Sequence, residues 1–171
     1  MALPLSKTCI PVWLQLLGSL DAMLDNAAAH ATAKKINPDA LLQARLYPDM
    51  FPLLKQVQLV SDFAKGPATR LAGIEPPKWA DDEKTFDDLK NRISRTVHLL
   101  HGIDLAAIDA GETREIHFNV GPMAKVMKGT DYLQHFALPN FYFHHVTSYA
   151  ILRHNGVEVG KRDFMGNIPG F

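Results

Sequence analysis

One cysteine, Cys9, stands in 171 residues. An intrachain disulfide and a thiol-rich metal knot are therefore excluded, and a reducing, cytoplasmic setting is the expectation. No excess of either charge exists: eighteen basic and eighteen acidic side chains cancel. Phosphate backbones need a basic surface, so nucleic acid is not expected as a partner. Apolar runs fall well short of the ~18 residues that span a membrane, and no basic segment followed by an apolar core opens the chain, so neither membrane nor secretory signal is expected. HExxH, GxSxG, CxxC and glycine-rich phosphate loops are missing, which removes the common local signatures of zinc proteases, serine hydrolases and nucleotide binders.

What is present is helical periodicity. Ile10, Trp13, Leu14, Leu17, Leu20 and Leu24 recur every three or four residues, which predicts a first helix over 6–31, with Pro11 tolerated in its first turn. Asp39 is expected to cap a short helix reaching Leu46. Asp49 is expected to cap a second long helix, with Pro52 in its first turn, a kink at Gly66-Pro67 and a stop at Gly73. After an extended stretch through Pro76, Pro77 and Trp79, either Asp82 or Thr85 caps a third helix. Its core stripe is Phe86, Leu89, Ile93, Val97, Leu100 and Ile103, and Arg92, Arg95, His98 and His101 suit its later half.

The period then falls to two. Ile116, Phe118 and Val120 alternate with His117 and Asn119, so a strand is expected there, with 123–127 returning after Gly121-Pro122. Thr130 caps a brief helix to Ala137. Pro139 ends it and begins the fourth long helix, which Gly156 closes; an irregular tail follows. The chain reads as one domain over 1–171. Its class is all-α, four long helices with a small β-hairpin between the third and fourth.

The fourth helix holds the strongest candidate site. It contains Asn140, Phe141, Tyr142, Phe143, His144, His145, Ser148 and Tyr149. Asn140 and His144 are spaced i, i+4 and share a face, while the two histidines stand ~100° apart. One histidine is therefore expected to face the bundle and the other to face outward or into an interface. His144 is the candidate metal ligand or acid–base group, and Tyr149 a candidate proton donor. A histidine satisfied by a hydrogen bond in the core is the competing reading. Arg153 and His154 suit the helix C-terminus, and His30 and His117 carry little signal. His98 and His101, spaced i, i+3, leave open a metal site shared with His144. Gln56, polar within an apolar stretch, is either a core hydrogen-bonding group or part of a site; Gln58 and Asp62 share a face of the same helix.

The order of motifs is itself informative: Ala44-Arg45-Leu46-Tyr47-Pro48-Asp49-Met50, Gln56, Glu83 with Thr85-Phe86, Pro139 to His144, Ile151 to Gly156, and Gly160-Lys161 with Asp163-Phe164. The chain resembles, over nearly its whole length, an uncharacterised bacterial family of the DinB/YfiT-like superfamily. That resemblance implies an up-down-down-up four-helix bundle, a long connection between the second and third helices, and a homodimer. Superfamily members include thiol-dependent transferases and metal-dependent hydrolases. Many hold nickel or zinc with three histidines, one from the second helix and two at i, i+4 on the fourth. Counted back from Gly156, His144 takes one of these places, Asn140 the other on that helix, and Gln56 the place on the second. Two amides in place of imidazoles are weak ligands for such metals, so a divalent metal is expected to be absent or weakly held. The expectation is a degenerate metal or ligand pocket around His144, with Gln56 and Asn140 orienting a small molecule and Tyr149 assisting any reaction. The alternative is a non-catalytic dimeric bundle binding a small molecule or partner.

Overall fold

The computed structural model describes residues 3–171. The chain runs α1 (Leu5–Lys34), α2 (Pro38–Leu42), α3 (Leu53–Leu71), α4 (Phe86–Gly102), α5 (Leu105–Asp109), β1 (Glu115–Val120), β2 (Met123–Lys128), α6 (Gly129–Tyr132), a π-helical turn (Leu133–Ala137), α7 (Leu138–His154) and α8 (Lys161–Met165). The four long helices pack with α3 against α7 and α4, and with α1 against α4 and α7. Trp13, Leu17, Leu20, Leu24, Leu53, Val60, Leu89, Ile93 and Phe141 make the centre of the core. None of the described helices is long and apolar enough to cross a membrane.

Local chemistry accounts for the boundaries. Thr85, not Asp82, caps α4: its hydroxyl accepts from the Asp88 N–H at 3.1 Å while the Asp88 carboxylate accepts from the Thr85 N–H at 2.9 Å. Asn37, one residue before the proline, caps α2 in place of Asp39, and that helix ends at Leu42, short of Leu46. Helix α3 begins at Leu53 after Pro52, so Asp49 caps nothing, and it continues through Gly66-Pro67 to Leu71. Helix α1 begins at Leu5, which leaves Pro11 inside it; Pro11 faces solvent, where water can satisfy the carbonyl its missing N–H abandons.

The hairpin is antiparallel, from Glu115 opposite Lys128 to Val120 opposite Met123. Ile116 and Phe118 turn inward and the rest of β1 outward, the alternation a one-sided strand requires.

Two sequence expectations fail near the site. Pro139 does not separate two helices, since α6, the π turn and α7 are continuous from Gly129 to His154. The Leu138 N–H reaches back five residues to the Leu133 carbonyl. This wider turn gives the proline ring room beside the carbonyl four residues earlier, which an α-turn would press against it. The tail is also more ordered than its glycines suggest. It forms α8, and Gln15 Nε2 donates to the Met165 carbonyl at 2.7 Å, tying the tail to α1.

Candidate functional site

Helix α7 presents its two adjacent histidines to two different interiors, so neither faces outward: His144 is 7% exposed and His145 0%. His144 turns toward α3, where its Nδ1 lies 2.7 Å from Gln56 Oε1. Gln56 Nε2 donates to the Phe51 carbonyl at 3.1 Å, which fixes Oε1 as the acceptor. His144 Nδ1 therefore carries the hydrogen, and Nε2 is the bare nitrogen. Phe63 stacks on the imidazole at 5.4 Å, and Phe143 meets it edge-on at 5.2 Å. Burial, aided by the nearby Lys55 charge, pushes the His144 pKa down to about 4, so the ring is neutral at pH 7.

His145 turns toward α1 and the tail. Its Nε2 lies 2.9 Å from the Leu16 carbonyl and 3.2 Å from Ser19 Oγ, whose hydroxyl donates to the same carbonyl. Nε2 is thus the protonated nitrogen, and Nδ1 is buried without a partner. Phe164 of α8 packs edge-on against this ring at 4.8 Å. Burial pushes the His145 pKa down to about 4 as well.

The other expected site residues divide between these interiors. Tyr149 packs on Phe164 at 5.7 Å, on the tail side with His145 and away from His144. Asn140 stands one turn before His144, but its Nδ2 donates to the Phe136 carbonyl at 2.7 Å, a backbone oxygen within the widened turn. His98 and His101 are exposed on α4, which packs on α1 and α3, so they do not join His144.

The donor set does not fit a three-imidazole metal centre. Gln56 already accepts from His144 and donates to Phe51, and Asn140 contributes only an amide oxygen. Among the described residues no three His, Cys, Asp or Glu side chains are grouped to hold a metal ion.

Sequence reasoning missed a second polar centre. Arg92, which the sequence marks only as one of the cations suiting this helix, is 4% exposed. It bonds to Glu83 at 2.9 Å, Asp62 at 2.9 Å, Asp81 at 3.1 Å and the Ala80 carbonyl at 3.1 Å. Gln58 Nε2 donates to Glu83 at 2.7 Å, so the Gln58/Asp62 face of α3 belongs to this network. Trp79 lies beside it, with Lys65 Nζ 4.2 Å and the Arg95 guanidinium 4.3 Å from its ring centre. The signal was available: Arg92 adjoins Ile93 in the core stripe, in register with Leu89 and Thr96.

Next to this network opens a cleft of about 420 Å³, walled by α3, the 75–81 connector, β1 and the π turn. Phe63, Trp79, Phe118, Tyr132, Phe136 and Arg70 line it; His144, Gln56 and Asn140 do not. Phe63 is the partition, lining the cleft and stacking on His144.

The chain is thus a helical bundle with one small hairpin and a histidine paired across α3 and α7. The chain is similar, at 38% identity and a TM-score of 0.90, to a crystal structure of a DinB family member from Shewanella denitrificans; the match covers 96% of this chain and 93% of that one. Residues 5–165 match the domain of unknown function DUF1993, and the chain belongs to that DinB-like family. No functionally curated protein matches it.

Proposed function

We propose that this chain is a DinB-like bundle in which the superfamily's metal position has become a neutral His144–Gln56 pair, leaving a degenerate pocket suited to binding rather than to metal chemistry. The observation that carries this reading is the 2.7 Å contact between His144 Nδ1 and Gln56 Oε1, with the amide itself held by Phe51. A ring whose pKa is pushed down to about 4 is also a poor general base near neutrality. In this reading the long helices follow the up-down-down-up order and the protein works in the cytoplasm.

A second reading, a dimeric bundle that binds a small molecule or partner without catalysis, is favoured by one observation. Tyr142, Phe143 and Val146 are 39%, 55% and 47% exposed along one side of α7, an apolar surface that a second copy could cover.

The deciding experiment measures metal in untagged protein and in His144→Ala after loading with nickel, zinc or manganese and dialysis, alongside sedimentation of both proteins. The expected result is no retained metal in either and a lower melting temperature for the variant. Near-stoichiometric metal that the variant loses would overturn the degenerate-site reading. A monomer in sedimentation would overturn the dimer.

A further inference from the structure

The cleft beside the Arg92 network is lined by a cluster of aromatic rings and holds one half-buried charge without an ion-pair partner among the described residues. Its aromatic side chains already pack on one another: Phe118 lies 4.9 Å from Tyr132 and 4.5 Å from Phe136, and Phe63 lies 5.8 Å from Phe136. Trp79 closes it from the connector, steadied by the cations beside its ring. A ring entering here would meet aromatic faces and edges, the geometry that favours stacking over general greasiness. The volume lies in the range of small-molecule pockets.

The charges lining the cleft are mostly accounted for. Asp62 is paired with Lys65 at 2.8 Å and Arg92 at 2.9 Å, and Asp81 with Lys55 at 2.5 Å and Arg92 at 3.1 Å. Glu75 and Lys78 are exposed at the rim. Arg70 is the exception. It is half-buried, forms no ion pair among the described residues, and its guanidinium donates only to the neutral Tyr132 hydroxyl, at 3.3 Å. Tyr132 accepts that bond and keeps its own hydrogen to give.

Gly66 sets this arrangement. A Cβ there would stand 2.8 Å from Arg70 Nη1, and it would meet nothing else but the carbon of the same guanidinium. The glycine costs α3 some helix propensity and in return lets the guanidinium lie back along the helix.

We propose that this cleft binds a small planar aromatic carboxylate, its ring held among Phe63, Trp79, Phe118 and Phe136 and its carboxylate received by the Arg70 guanidinium and the Tyr132 hydroxyl. A guanidinium matches a carboxylate with two parallel N–H bonds, and one fixed cation suits one negative charge. The proposal does not rest on the His144–Gln56 reading: neither residue lines the cleft, and Phe63 stands between them and it.

The test is calorimetric titration of the full chain with 2-naphthoate, and with 2-naphthalenemethanol as its uncharged analogue. Arg70→Gln and Gly66→Ala are titrated in parallel, with melting temperatures recorded. The native protein is expected to bind the acid at least about tenfold tighter than the alcohol, about 1.4 kcal/mol. Arg70→Gln is expected to bring the two to parity. Gly66→Ala, whose added methyl touches only the Arg70 side chain, is expected to weaken the acid severalfold with no fall in melting temperature. Equal affinity for acid and alcohol in the native protein would overturn the proposal, as would full affinity in Arg70→Gln or no detectable binding of the acid. Tighter binding of phenyl phosphate than of the acid would overturn the assignment of a single charge.

Discussion

Acid should weaken this fold well before its carboxylates are protonated, and His145 is the cleanest place to measure it. The folded ring is neutral, fully buried, and bonded through Nε2 to Leu16 and Ser19, with a bare Nδ1 in an apolar setting. In the unfolded chain it titrates near 6.5, whereas burial holds it down to about 4 in the fold. Between these values the unfolded chain binds a proton that the fold refuses. Stability therefore falls as pH falls, and the loss is complete below about 4. At about 1.4 kcal/mol per pH unit, the interval from 6.5 to about 4 amounts to roughly 3 kcal/mol for this one residue. His144, pushed down to a similar value by burial and Lys55, adds a second contribution of the same sign. Together they are comparable with the ~5–15 kcal/mol that holds a typical domain. Urea unfolding at about pH 7 and about pH 4.5, on the native protein and His145→Gln, separates the terms. The glutamine amide can still donate to the Leu16 carbonyl but cannot titrate. The variant should start lower at neutral pH, because the ring packed on Phe141 and Phe164 is gone. Over that pH interval it should then lose about 2–3 kcal/mol less than the native protein. Parallel losses in the two proteins would refute the reasoning, since they would place the proton uptake elsewhere.

Arg92→Met should cost about 3–5 kcal/mol, measured by denaturant unfolding, because it leaves the largely buried Glu83 carboxylate without a cation and leaves Asp62 and Asp81 with Lys65 and Lys55 alone. Limited proteolysis should then cut the 72–85 connector faster than in the native protein. Gly129→Ala should destabilise by about 1–3 kcal/mol in the same unfolding assay, because its new Cβ would stand 1.9 Å from the Gly111 carbonyl oxygen.

The elements that the sequence made legible are those with one clear period. The α4 stripe from Phe86 to Ile103 and the alternation of Ile116 and Phe118 both come from a face that must be buried, and burial selects residue type directly. Val97 is the one member of that stripe that is only partly buried. Helix starts were harder. Asp39 and Asp49 have the right chemistry for caps, yet Asn37 and Pro52 precede the two helices, because a proline nearby sets where helical dihedrals begin. The tail misled for another reason. Three glycines and a proline describe its freedom in isolation, but Phe164 wedged against His145 and Tyr149 decides where it lies.

Spacing located the candidate residues of α7 better than it described their work. The i, i+4 rule puts Asn140 and His144 on one face and cannot foresee that Pro139 widens the turn before them. Once the turn widens, the Phe136 carbonyl takes the Asn140 amide, and a residue that would orient a ligand is bound to its own helix. Gln56 is used in the same way, since its two amide atoms join Phe51 to His144 and leave a polar strut between α3 and α7. The aromatic cleft was invisible for the opposite reason. Its walls come from residues 63, 79, 118, 132 and 136, five positions in four separate segments with no common spacing. Phe63 is the physical link between the two regions, one face toward His144 and its edge of the cleft toward Phe136. A ligand that shifts Phe63 must disturb the ring that shields His144, and it would then change the environment that keeps that histidine neutral.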